Sequence, residues 1–201
     1  MPTIETLFLL VLSILAMESA DSIRSLYRHF LAGITEKSLN AFYYVCSYAK
    51  ADYSKFMNTT AGIALKLIPE KLRLQPVFLC IDDTMVSKFG KKFEDVSKLF
   101  DHAAHNGSNY LNGHCFVSVM LCVPVWNKSK IHYLSVPLGY RMWQKKESKL
   151  ELAASMIRQV MPQFRDRKNV IILCDSWYVK KNLVSIVDEY ENLDLIGNAR
   201  S

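Results

Sequence analysis

Residues 77–84 read VFLCIDDT and residues 169–178 read NVIILCDSWY, and the fold turns on these two stretches. Each opens on a short apolar run, Val77–Ile81 and Asn169–Cys174, of the length expected of a buried strand. Each run ends in acid, Asp82-Asp83-Thr84 in one and Asp175 in the other. In an open α/β sheet, ligands bind in the crevice beyond the carboxyl ends of the strands. A carboxylate placed there loses hydration unless a partner satisfies it, and a divalent cation is an efficient partner. Neighbouring strand residues point to opposite faces, so only one of Asp82 and Asp83 can share a site with Asp175. On spacing alone, turn formation is a commoner source of acid at a strand end than metal binding.

Working outward, Cys115–Trp126 (CFVSVMLCVPVW) and Ile131–Trp143 read as two further strands, joined by a hairpin turn at Asn127–Lys130. The period then becomes helical. Leu150, Ala153, Ala154, Ile157, Val160, Met161 and Phe164 share one face, and Val179, Leu183, Ile186, Val187 and Tyr190 form a second stripe. Asp194–Gly197 starts another strand. The order of strand, long loop, strand, strand, helix, strand, helix, strand predicts an α/β layout, a mixed sheet covered by helices. The early hairpin and the lack of a G-x-G-x-x-G after any strand exclude a dinucleotide-binding pattern.

Residues 1–75 read as helical throughout, so a boundary is expected near Pro76. Ile23, Leu26, Tyr27, Phe30 and Leu31 mark one amphipathic helix, Leu39–Tyr48 a second behind Thr35 and Ser38, and Asp52–Leu67 a third. The module is compatible with helix-turn-helix DNA binding, but no recognition helix stands out, and on these residues alone packing is the simpler reading. Leu7–Met17 (LFLLVLSILAM) has only Glu5 ahead of it and stops at Glu18, so it reads as a core helix. It lacks the basic start of a secretory signal and the length of about 20 residues needed to span a membrane.

The 201 residues carry 25 Lys+Arg against 19 Asp+Glu, a net charge of +6, and half are hydrophobic, which excludes a disordered chain. Five cysteines, odd in number and without C-x-x-C spacing, argue against a disulfide framework and for a reducing, cytoplasmic setting. Lys128, Lys130, Arg141, Lys145, Lys146 and Lys149 form a basic run against the single acid Glu147, interleaved with Tyr133, Tyr140 and Trp143. That mixture suits a phosphate backbone with stacking platforms, although a solvated turn is the commoner source of such a run. His102, His105 and His114 make a weak zinc candidate, lacking both i, i+4 spacing and paired cysteines.

Taken together, IDDT (Ile81–Thr84), ILCDSWY (Ile172–Tyr178), the insert Lys91–Val119 and SLNAFYYVCSYAK (Ser38–Lys50) resemble the insertion-sequence transposases of the DDE type. The resemblance implies a ribonuclease-H-like core, here a helical module over 1–75 as candidate DNA-binding module, followed by a partial mixed sheet flanked by helices over 76–201. It implies that Asp83 and Asp175 are catalytic and hold Mg²⁺ or Mn²⁺, with a third carboxylate completing a two-metal site. It implies DNA, both transposon ends and target, as partner, a homodimer in a synaptic complex, and no membrane. The family's glutamate lies on a later helix, and no residue after Asp175 matches it, so the expectation is the N-terminal part of a transposase. The competing reading is a truncated, non-catalytic DNA-binding or regulatory module derived from one. A third is an unrelated α/β protein anchored to membrane by the N-terminal run.

Overall fold

The computed structural model describes residues 2–19, 22–50, 52–89, 94–100 and 109–198, in two compact units that divide after Asp52. The first unit holds helices α1 (Pro2–Ala16), α2 (Ile23–His29) and α3 (Leu39–Tyr48). The Ser22 hydroxyl starts α2 by accepting the Ser25 backbone N–H at 3.1 Å, satisfying a donor that a helix start leaves open. Leu10, Leu26, Leu31 and Phe42 make the small core. The run at 7–17 is helical as expected, yet α1 buries Thr6, Leu10 and Ser13 and leaves Ile4, Phe8 and Leu15 exposed. The Ser13 hydroxyl donates to the Leu10 carbonyl at 2.7 Å, so its burial leaves no unpaired donor.

The division falls after Asp52 rather than near Pro76, because α4 (Tyr53–Lys66) turns Met57, Ala61 and Ala64 into the core of the sheet. Helix follows helix here without a change of composition, so the sequence does not say which core the last helix joins. Among the described residues no helix is long and apolar enough to cross a membrane.

One mixed sheet carries the second unit: β1 (Val77–Ser87), β2 (Ser97–Phe100), β3 (Tyr110–Asn127), β4 (Lys130–Met142), β5 (Val170–Cys174) and β6 (Leu193–Gly197). β1 is central, antiparallel to β3 on one side and parallel to β5 on the other, with β6 parallel to β5 beyond it. The far edge of β3 is shared, its start pairing β2 and its remainder β4. Antiparallel pairing links β1, β2, β3 and β4, and parallel pairing adds β5 and β6, giving the mixed sheet expected from the order of elements. Both parallel additions need a crossover, supplied by α5 (Lys149–Val160) before β5 and the short α6 (Lys181–Val184) before β6.

Alternation sorts the two faces. Val77, Leu79 and Ile81 of β1 join Val117, Val119 and Leu121 of β3 and Ile172 of β5 in one core with α4 and α5. The residues between them, Phe78, Cys80, Met120 and Cys122, are only half-buried. The stripe expected as one helix over 179–190 is broken into α6 and a 3-10 turn at Val187–Glu189, although Leu183 and Ile186 stay buried. An aspartate turn occupies residues 175–178 and delays the helix start to Lys181. β2 escapes sequence reading because four residues with one buried position, Leu99, give no period.

Leu79 lies between Leu121 of β3 and Ile172 of β5 in register and is fully buried. Replacing it with alanine removes three carbons from a fully buried site, at a cost of about 2–5 kcal/mol. Urea unfolding should show a lower midpoint with an unchanged slope.

Candidate active site

β1 runs to Ser87, whereas its parallel neighbour β5 ends at Cys174, opposite Ile81. Asp82 and Asp83 therefore lie inside a strand and not after one, because the long β3 keeps pairing β1 through Ser87↔Gly113. Beyond Ile81 the other edge of β1 has outrun β5, and the chain leaves the sheet there at Asp175. Parity puts Asp83 on the helix-covered face with Leu79 and Ile81, and Asp82 on the opposite face. Gly113 is needed at the end of this pairing, since a Cβ there would collide with the Val86 carbonyl oxygen.

Three donors hold the Asp83 carboxylate. Oδ1 accepts from the Tyr178 hydroxyl at 3.1 Å, while Oδ2 accepts from Lys149 Nζ at 2.6 Å and from the Cys115 thiol at 3.3 Å. The side chains of Lys149 and Asp83 are 18% and 19% exposed, so solvent screens this pair less than a surface one. Lys149 opens α5, whose start is fixed by a capping box. The Ser148 hydroxyl accepts the Glu151 N–H at 3.1 Å, and the Glu151 carboxylate accepts the Ser148 N–H at 2.8 Å.

Asp175 Oδ1 accepts the backbone N–H groups of Trp177 at 3.0 Å and Tyr178 at 3.3 Å. This aspartate turn swings the chain off β5 and buries Tyr178. Tyr178 thus links the two acids, its amide on Asp175 and its hydroxyl on Asp83. Burial, then the charge of Asp83, raise the Tyr178 pKa far above that of a free phenol. Burial likewise pushes the Cys115 thiol up to about 11, with Asp83 adding to the rise and Lys149 opposing it. For Lys149 burial acts downward, but the hydrogen bond and charge of Asp83 together outweigh it and raise the pKa.

Two indoles flank the lysine. Lys149 Nζ stands 5.4 Å from the ring centres of both Trp143 and Trp177, Lys145 Nζ lies 5.8 Å from Trp143, and Lys180 Nζ 4.7 Å from Trp177. Trp143 is anchored by its own N–H, which donates to the Glu147 carbonyl at 2.7 Å.

The structure divides the basic run. Lys128 and Lys130 lie at the β3–β4 turn, about 40 Å from Met142 along β4 at about 3.3 Å per residue. Arg141 donates to Ser155 at 3.0 Å and to Gln159, tying β4 to α5. Lys146 is exposed in the β4–α5 connection. Lys145 and Lys149 gather at Trp143, and Lys149 and Lys180 at Trp177. Sequence reasoning passed over Tyr178, Lys180 and Cys115. The available signal was Tyr178 and Lys180 following Asp175 within five residues in DSWYVK. His102 and His105 lie outside the described residues, and His114 Nε2 is 2.8 Å from the Glu94 carbonyl.

The aspartate motifs imply a divalent metal, and the donor chemistry decides whether these residues fit one. Asp83 and Asp175 offer carboxylate oxygens, the hard donors Mg²⁺ takes, and Mg²⁺ keeps most of its water and needs only one or two carboxylates. The pair fits in kind. Among the described residues no group of three or more His, Cys, Asp and Glu side chains is placed to hold a metal ion.

Tyr178→Phe keeps the ring and the amide bond to Asp175 and removes the hydroxyl bond to Asp83. Loss of a hydrogen bond to a charged group should lower stability by about 1.5–3 kcal/mol. Tyr178 and Lys149 both have pKa values raised by folding, so their contribution is complete below about pH 10 and is lost as pH rises above it. Denaturant titrations at pH 8 and above pH 10 should show stability falling with pH, and falling less steeply in Tyr178→Phe.

The profile of the DDE superfamily endonucleases matches residues 5–201. No curated protein sequence matches the chain. Similar solved structures include piggyBac transposase in a synaptic complex with hairpin DNA, at 16% identity and a TM-score of 0.41 over 100% of this chain and 42% of that one. Another is the Drosophila P element transposase strand transfer complex, at 8% identity and a TM-score of 0.41, over 96% of this chain and 41% of that one. A third is the Mos1 transposase paired-end complex with the left transposon end, at 12% identity and a TM-score of 0.32, over 94% and 57%. The chain spans less than two thirds of the length of each. The family match extends over nearly the whole sequence and takes in both aspartate motifs, bearing out the resemblance they carry: the chain belongs to the DDE superfamily of endonucleases.

Proposed function

We propose that the chain is the part of a DDE-type transposase that holds DNA against a metal-binding pair of aspartates, Asp83 and Asp175. The observation that carries this reading is that Asp83, within β1 two residues past its last pairing with β5, and Asp175, directly after β5, are joined through Tyr178. Mg²⁺ or Mn²⁺ bound there supplies charge stabilisation for in-line attack on a phosphodiester. Tyr178 orients both carboxylates. Lys145 and Lys180 receive the phosphate backbone, with Trp143 and Trp177 beside them as stacking surfaces. Lys128 and Lys130 form a second, separate phosphate contact at the β3–β4 turn. Transposon-end and target DNA, a homodimer in the synaptic complex and cytoplasmic residence belong to the same proposal.

A second reading, a DNA-binding module that titrates a full enzyme, draws on one observation: among the described residues no third ligating side chain is placed to complete a metal site with the two aspartates. Iron-directed cleavage separates the two. With hydrogen peroxide supplied as oxidant and ascorbate to re-reduce the iron, Fe²⁺ bound in place of Mg²⁺ generates hydroxyl radicals that cut whatever DNA lies beside it, without a complete catalytic set. Cuts on bound duplex that disappear in Asp83→Asn and Asp175→Asn support the metal site. Tight DNA binding without such cuts supports the module.

DNA affinity should fall steeply with salt, since each neutralised phosphate releases a counterion. Lys145→Ala with Lys180→Ala should reduce the slope of log affinity against log salt by about two. An unchanged slope would remove the lysine–indole cluster from the DNA surface.

A further inference from the structure

Lys149 does not behave as a DNA-facing lysine. Its ammonium is 2.6 Å from Asp83 Oδ2, the pair is more than four-fifths buried, and an indole ring stands 5.4 Å away on each of two sides. The position is built from several elements. The capping box fixes the start of α5 and hence the Lys149 backbone, Trp143 follows directly on β4, and Trp177 belongs to the turn that Asp175 holds. A surface lysine has none of these constraints and gains little from an ion pair.

We infer that Lys149 is a resident counter-cation at Asp83, a positioning residue that a divalent ion must displace in order to bind. The inference rests on the reading of Asp83 as a metal ligand. Oδ2 already accepts from Lys149 and Cys115, and Oδ1 from Tyr178. A divalent cation approaching Oδ2 meets the ammonium at hydrogen-bond distance, and two cations cannot share that oxygen without strong repulsion in a weakly screened site. Ion loading and withdrawal of Lys149 from Asp83 are therefore one coupled step. The lysine has a flexible four-carbon stem with which to make that move. Because its head lies against Trp143 and Trp177, the move changes the surroundings of both indoles.

The test uses the 201-residue chain and two readouts that need no catalysis. Mn²⁺ binding is measured by the paramagnetic resonance signal of the free ion, in wild type, Lys149→Met and Asp83→Asn. Mg²⁺ titrations follow tryptophan fluorescence in a Trp126→Phe background, which leaves only Trp143 and Trp177. Removing the competing ammonium should tighten Mn²⁺ binding by about tenfold, the scale of one charge-assisted hydrogen bond. Wild type should show a saturable fluorescence change that Lys149→Met lacks. Equal or weaker Mn²⁺ binding in Lys149→Met overturns the inference, and so does a wild-type fluorescence signal that stays flat while the ion binds. Should Lys149→Met fail to fold, the wild-type fluorescence titration alone decides. Binding absent from wild type, or unaffected in Asp83→Asn, overturns instead the reading of Asp83 as a ligand.

Discussion

A carboxylate on the covered face of a sheet has to be matched by donors, and Asp83 is such a carboxylate. Its position follows from strand parity, two residues beyond Ile81 on the face that α4 and α5 cover. Left unmatched there, the charge would carry a desolvation cost of several kcal/mol. The match comes from three separate parts of the chain: Cys115 on β3, Lys149 at the start of α5, and Tyr178 after β5. One charge therefore ties the sheet's antiparallel half, its crossover helix and its parallel half to a single point.

The geometry around that point comes from unequal strand lengths. β3 is long enough to keep β1 ordered to Ser87, while β5 stops at Cys174. Among the described residues no strand pairs the β5 edge of β1 beyond Ile81, and Asp175 turns the chain away at the same level. The two indoles and the lysines against them belong to the connections before α5 and after β5, residues 143–149 and 175–180.

Charge in this region has two different duties that a count of lysines cannot separate. Arg141 binds Ser155 and Gln159 and joins β4 to α5, Lys149 neutralises Asp83, and Lys145 and Lys180 lie against indole faces. Lys128 and Lys130 lie at the other end of the same long hairpin. Cation–carboxylate pairs below the surface fix structure, and only the exposed cations remain available to phosphate.

Sequence by itself determined the strands that alternate or run apolar, the helix α5 with its stripe from Leu150 to Val160, and Asp175 at the end of its strand. These features are local, set by period, length and residue type, and the fold class follows from their order, whereas the family rests on the resemblance carried by the aspartate motifs. Tertiary structure alone decided the rest. That Asp83 lies within a strand depends on β3 pairing it from more than thirty residues away. That α4 belongs to the sheet depends on which core Met57, Ala61 and Ala64 reach. That Lys149 serves Asp83 and not the solvent depends on α5 starting, by virtue of Ser148 and Glu151, within reach of β1. Each of these is a contact between residues far apart in the chain, and no periodicity or spacing encodes where two distant segments meet.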